Sequence, residues 1–248
     1  LVPVVFMQLF RSPPKQPTAE DVSLAEEFAK RDEMGLDKNS KPKTEEEQRA
    51  FYYSMIGKAI FLQAPFLGWL AYFAVRLVPG QAERIDAKFD LIATYDLGWV
   101  FVTTLLALLT KSYLMINVNG ARAAARVDRP DQHVYKIMSA EKYKDAPYVL
   151  MASTGPAGRF NRAQRASLNH DETLPVFLVN LVLVACVYGP LAVVIAATNL
   201  YARKKFADAY KADLSQRGAG FFLSAITEFV TVGMIWVTVM KAFFPMLP

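Results

Sequence analysis

Hydrophobic and polar positions along the chain come in blocks. Residues 11–50 are nearly all polar, rich in Pro, Lys, Glu and Asp, while several later stretches carry almost no charge. Water-facing segments alternating with lipid-facing ones give this pattern, so the chain reads as an all-α, multi-pass integral membrane protein. The first span is Ala59–Val78, flanked by Lys58 and by Arg76, which can snorkel from a helix end; Pro79-Gly80 stops it. The second is Leu97–Val118, with Asn119-Gly120 as its stop and Lys111 inside it. Upstream, Ala19–Met34 suits a surface helix and Asp37–Thr44 a linker, while the apolar run Leu1–Phe10 is too short to cross a bilayer.

The apolar run Leu174–Leu200 exceeds the ~20 residues of a single crossing. Tyr188-Gly189-Pro190 stand at its middle, and Gly-Pro is a turn signal with Pro suited to a following first helical turn. One kinked helix and a tight hairpin of two spans both fit. In the hairpin, the first helix starts near Arg162 and the second ends near Asp213, because both polar flanks lack Gly and Pro and are rich in helix formers. A last span covers Gly220–Phe244.

Charge placement favours the hairpin. Arg122, Arg126, Arg129, Lys136, Lys142, Lys144, Arg159, Arg162 and Arg165 fill one connection; Arg203, Lys204, Lys205, Lys211 and Arg217 cluster near the later one. The Tyr188–Pro190 turn has none. A hairpin puts both basic stretches on one membrane face, as the positive-inside rule requires, with the polar N-terminal segment on that same face. Five spans result. The net charge of +5 is modest, and basic residues beside apolar spans without a recognition motif argue against nucleic acid. Cys186, the single cysteine, excludes an internal disulfide and reads as a small buried hydrophobe. The chain starts Leu-Val-Pro without Met, which fits a removed presequence or a preceding stretch.

Polar residues form stripes at one membrane face. Arg165, Asn169 and Glu172 stand at i, i+4 and i+7, so they share a helix face leading into the bilayer. Arg203, Tyr210 and Arg217 recur at intervals of seven, and Arg122 and Arg126 close the second span. Ionised groups at such depth need partners or serve a ligand. Glu228, inside the last span, reads as half of a structural pair, with Lys111 or with a partner chain. His133 and His170 lack metal-ligand spacing, so no metal site is expected, and His170 reads as an incidental interface residue. Trp69, Trp99 and Trp236 suit helix packing or interfacial belts. No phosphate loop, nucleophile elbow or zinc motif is present.

The run Arg165-Ala-Ser-Leu-Asn169-His-Asp-Glu172-Thr-Leu-Pro175-Val-Phe177 resembles the Arg-Ala-x-x-Asn-x-x-Glu-x-x-Pro-x-Phe signature of the MAPEG family, the membrane-associated proteins of eicosanoid and glutathione metabolism. The resemblance runs from Trp99 to Phe244. It implies a four-helix transmembrane bundle assembled as a homotrimer, with glutathione as cosubstrate bound between neighbouring subunits. It further implies that Arg122, Arg165, Asn169 and Glu172 bind glutathione, while Tyr210 and Arg217 serve catalysis, Arg217 by stabilising the thiolate. The implied activity is that of a glutathione transferase or peroxidase acting on lipophilic electrophiles. Thr173, Phe206 and Ala123 depart from leukotriene-synthase-like members, which carry two tyrosines and an arginine there.

The chain thus divides into a polar arm (1–50), an extra N-terminal transmembrane helix with its connection (51–95) and a MAPEG-like domain (96–248). Residues 1–95 and the long loop after Arg126 support a second expectation, a non-catalytic accessory subunit of a large organellar membrane complex (respiratory, ATP synthase or photosynthetic). The endoplasmic reticulum and an organellar membrane, mitochondrial or plastid, both fit.

Overall fold

The computed structural model describes residues 43–127, 132–136, 150–244 and 246. The expected helix at Ala19–Met34 lies outside them. The first helix, α1, is Glu45–Arg76. Thr44 starts it with a reciprocal cap: its hydroxyl accepts from the Glu47 backbone N–H at 3.2 Å, and Glu47 accepts from the Thr44 N–H at 2.9 Å. Ala59–Gln63 within α1 is π-helical, immediately before Pro65, whose ring cannot sit in an unbroken α-helical ladder. The helix therefore begins well before the apolar span expected at Ala59, and the division at residue 50 falls inside it. Hydropathy finds the lipid-facing half of α1, while its cap finds the beginning.

Gly80, at φ 70°, turns the chain into a short amphipathic helix, α2 (Gln81–Thr94). Arg76 at the end of α1 pairs with Asp86 of α2, and Trp69, Tyr72, Phe73 and Phe89 form an aromatic cluster at this corner. The Arg76 guanidinium beside Asp86 holds its carboxyl below the usual carboxylate value.

Helix α3 (Gly98–Ala125) continues through Asn119-Gly120, where the sequence suggested a stop. Asn119 turns its amide onto the Met115 carbonyl, and Gly120 makes room for the Arg49 side chain: a Cβ there would lie 2.4 Å from Arg49 Cγ. Arg126 ends the helix in the left-handed region. In the described part of the following loop, Tyr135–Lys136 (β1) and Leu150–Met151 (β2) pair antiparallel. Asn161 ties them down through three bonds to Val134 and Ala152 of 2.8–2.9 Å.

Helices α4 (Gly155–Val187) and α5 (Gly189–Ala212) meet at Tyr188, so the hairpin is the structure adopted. The turn packs against the start of α3: a Cβ on Gly189 would lie 2.5 Å from the Trp99 ring. A short 3-10 turn, Leu214–Arg217, leads into α6 (Gly218–Phe243). Among the described residues, four helical stretches are long and apolar enough to cross a membrane: Glu45–Arg76, Gly98–Ala125, Gly155–Val187 and Leu214–Phe243. The fifth expected span, α5, has 24 residues, or about 36 Å of helix, but Arg203, Lys204, Lys205, Asp208 and Lys211 make its second half too polar to qualify by composition.

Helices α3 to α6 form a bundle. Phe177, Leu181 and Val184 of α4 meet Ala192, Ile195 and Ala196 of α5 in one core cluster. Leu114, Ala166, Phe206 and Ala207 form another, nearer the basic face. Alanines dominate α5 inside the bundle, which lets helices approach closely where lipid provides no hydrophobic drive to associate. Outside, large apolar side chains such as Phe66, Phe101, Val179, Phe222 and Phe229 are exposed, as suits a lipid-facing surface. The protein is an integral membrane protein.

Polar residues join α1 to this bundle. Ile56 and Tyr52 pack on Ile116. Glu45 accepts from Arg159 at 2.7 Å and from Lys211, only 2% exposed, at 2.5 Å. These contacts put the start of α1 on the face that carries both basic stretches, as the charge pattern requires. The apolar half of α1, in contrast, has nothing buried.

Candidate functional site

The sequence stripes become a place at the corner between α5 and α6. Helix α5 ends because Asp213 is extended and caps the 3-10 turn, accepting from the Ser215 N–H at 2.8 Å. That bond holds the Asp213 carboxyl below its usual value. Arg162 of α4 closes the end of α5 by donating to the Lys211 and Ala212 carbonyls at 3.1 and 3.3 Å. The corner carries Arg217 back over Tyr210, with the guanidinium carbon 5.7 Å from the ring centre.

Gly220 fixes α6 against α5. A Cβ there would lie 2.3 Å from the Phe206 backbone nitrogen, so the two helices touch with no room for a side chain. Phe206 in turn stacks on Tyr210 at 5.5 Å and leans on Phe221 at 6.1 Å. Between these rings and α4 lies an open cavity of about 330 Å³, lined by Arg165, Asn169, Phe206, Tyr210, Arg217 and Phe221 with Gly218.

Four of the six residues singled out from the sequence therefore line one cavity: Arg165, Asn169, Tyr210 and Arg217. Glu172 stands one step away as the partner of Arg165, in a two-pronged pair of 2.6 and 3.3 Å. Arg122 lies elsewhere, on α3, where its guanidinium covers the Phe160 ring at 4.8 Å. Within one chain it does not reach this cavity.

Beneath the cavity, Arg203 is buried at 3% exposure and organises the polar layer. It donates to Asn169 Oδ1 at 2.8 Å, to Thr173 Oγ1 at 2.9 Å and to Glu228 at 2.6 Å. Because Arg203 occupies the Asn169 carbonyl oxygen, the amide NH₂ is left to face the cavity as a donor. Thr173 uses its hydroxyl in this same layer. Glu228 is thus half of a structural pair, but with Arg203 rather than Lys111. Lys111 binds Asp171 at 2.5 and 2.6 Å, because α4 stands between α3 and the acid on α6. Arg203 belonged to the seven-residue stripe, but its position alone gave no sign that it is a support rather than a ligand contact. His170 is 2% exposed and lies inside the bundle, among residues of α3, α4 and α5. Cys186, expected buried, is exposed on α4.

The cavity mixes a cation, an amide donor, an ion pair and aromatic walls. Among the described residues, Arg217 pairs with no carboxylate; its contact is the Tyr210 ring. No three His, Cys, Asp or Glu side chains among the described residues come together to hold a metal ion. Such a set can take an anionic or zwitterionic ligand with a soft, acidic proton.

A comparison with curated proteins gives no match. The family comparison matches the MAPEG family over residues 100–240, the stretch that holds nearly all of the four bundle helices and every residue lining the cavity. The chain belongs to the MAPEG family.

Proposed function

We propose that this protein binds glutathione at the α4–α5–α6 cavity and uses it as a transferase or peroxidase toward lipophilic electrophiles. One observation carries the reading: Arg217 faces the cavity beside Tyr210 with no carboxylate to neutralise it among the described residues. A free cysteine-like thiol has a pKa of about 8.5 and is mostly protonated at neutral pH. A unit charge ~4 Å away at an effective dielectric of ~20 is worth about 4 kcal/mol. A third of that lowers a thiol pKa by about one unit. Arg217 can therefore favour the thiolate without a general base, and the Tyr210 hydroxyl can donate to the sulfur.

The remaining residues suit the rest of a zwitterionic tripeptide. Arg165, which gives two of its five N–H groups to Glu172, keeps others for a ligand carboxylate; Glu172 can also accept from an ammonium group, and the Asn169 NH₂ can donate to a peptide carbonyl. In the reaction, the sulfur forms a bond to an electrophilic carbon as the leaving group departs with its electron pair. The exposed apolar surface of the bundle gives a lipophilic substrate a route through lipid. Arg122 serves such a site only from a neighbouring copy, so the proposal includes the homotrimer. Purified protein should bind glutathione in calorimetry and conjugate it to chlorodinitrobenzene. A folded trimer that neither binds nor conjugates glutathione overturns the reading.

A second reading, an accessory subunit of a larger membrane complex, has its own observation. The apolar half of α1 and the aromatic α1–α2 corner present an extended, largely exposed surface in which no residue is fully buried. The native mass in mild detergent separates the two: a stand-alone trimer supports the enzyme, single-copy co-migration with a large assembly the accessory role.

A further inference from the structure

Between α1 and the bundle runs a second cavity, of about 450 Å³, on a different face of α5 from the glutathione-type site. Its size falls in the ~300–1,000 Å³ range of small-molecule clefts. Ile60 and Phe61 of α1, Leu109 and Ile116 of α3, and Leu200 of α5 make it almost wholly apolar. Ser112 does not change this, since its hydroxyl is spent on the Leu108 carbonyl at 2.8 Å. One end differs. There Lys204 lies with its ammonium 5.1 Å over the Tyr113 ring. Lys204 is half exposed; it gives one hydrogen bond to Asp208, at 3.0 Å, which leaves two donors for another acceptor. Arg49 is nearby, donating to the same Tyr113 hydroxyl at 3.4 Å. Lys58 directly follows Gly57, which lines the cavity.

The cationic end is also the end nearest the basic membrane face. Leu200 and Leu109 lie one helical turn deeper than Lys204 and Tyr113. The cleft therefore runs from a cluster of cations at the interface down along apolar helix surface. We propose that it is a site for a bilayer phospholipid with an anionic headgroup, an acyl chain lying between α1 and α3 and the phosphate on Lys204. Lipid tails are as apolar as leucine side chains, so an acyl chain gains little by leaving bulk lipid for the cleft. The headgroup contact must then decide which lipid stays, and a lysine at the interface favours an anionic one. The site is formed only because α1 stands against the bundle, so it gives the added helix a use that does not depend on the glutathione reading.

The test is full-length protein in nanodiscs of phosphatidylcholine and phosphatidylglycerol in equal parts, then native mass spectrometry of the released protein. Phosphatidylglycerol should remain bound in preference to phosphatidylcholine. Lys204→Gln should reduce that preference about fivefold. Gly57→Leu should expel the lipid, because a Cβ at Gly57 meets open space and the larger side chain then enters the cleft. Leucine also favours the helix over glycine, so the fold survives, and unchanged helicity by circular dichroism checks this. Equal retention of both lipids by the unaltered protein, a free fatty acid bound in place of a phospholipid, or lipid retention indifferent to both substitutions overturns the proposal.

Discussion

Helix α5 carries charge on two faces and treats it differently on each. Toward α1, Lys211 meets Glu45, and Asp208 meets Lys204 and the Tyr113 hydroxyl, so each charge in this network has a partner, although half-exposed Lys204 keeps donors for a further acceptor. Toward α6, Arg203 is compensated by Glu228, but Arg217 above it is not: among the described residues it closes the cavity beside an aromatic ring and pairs with no carboxylate. Compensated charge in a membrane protein builds structure. Charge left open toward a cavity awaits a ligand. The comparison teaches that the cavity within the family-matched bundle and the contacts to the helix outside it use different sides of one helix, and so can vary independently.

The sharpest way to break that comparison is Glu45→Gln. It leaves buried Lys211 without its carboxylate, which should cost about 3–5 kcal/mol of stability, read from unfolding in detergent. Glutathione binding by the folded fraction should be unchanged. Loss of binding in folded protein shows instead that the two faces are coupled.

Next in size is Arg217→Ala. Removal of a donor aimed at developing negative charge costs about 100- to 1,000-fold in kcat, as at an oxyanion site. Glutathione affinity should fall by far less, and the ultraviolet band of the bound thiolate should disappear. An equal loss of affinity and turnover makes Arg217 a simple binding residue.

Gly220→Ala comes third. The added methyl must push α6 off the Phe206 backbone, at about 1–3 kcal/mol, and should also weaken glutathione binding by widening the cavity. A stable variant with normal affinity means that the helix contact does not set the site.

The smallest effect belongs to the α1–α2 corner, remote from both faces. The Asp86 carboxyl is held below its usual value by Arg76, so its contribution is present above the ordinary carboxylate range and is lost as pH falls through the lowered value. Asp86 is exposed and Arg76 half-buried, so the pair is a small local contribution: hydrogen exchange in α2 should rise in acid while the bundle stays protected. Protection of α2 that is insensitive to acid removes the ion pair from the account of that corner.

Much of the bundle was readable because its signals are local. The Gly189-Pro190 turn and the bare loop between two basic stretches determine the hairpin without any knowledge of packing. The Arg165–Phe177 signature likewise carries its own spacing. Other features rest on contacts between distant residues. Asn119-Gly120 reads as a stop until Arg49, from a helix much earlier in the chain, is seen lying over Gly120. Arg203 and Tyr210 look alike in a stripe, and only burial separates the support from the cavity wall. Helix α2 was read as a connection, since its apolar face is short and its polar residues many. The start of α1 had a usable local sign, Thr44 followed three residues later by Glu47, which marks a helix N-terminus even where hydropathy is silent.

The bond between Glu45 and Lys211 also has a consequence in time. The two residues are 166 positions apart, so at ~5–20 residues per second roughly 8–33 s separate their synthesis. During that interval the first helix can pack on α3 and its acid can meet Arg159 of α4, but the buried lysine that completes the latch lies on a segment that does not yet exist. A nascent chain stalled before α5 would therefore hold α1 loosely in the bilayer, open to whatever insertion machinery or neighbouring helix reaches it first, and release from that companion would coincide with completion of the fourth long helix.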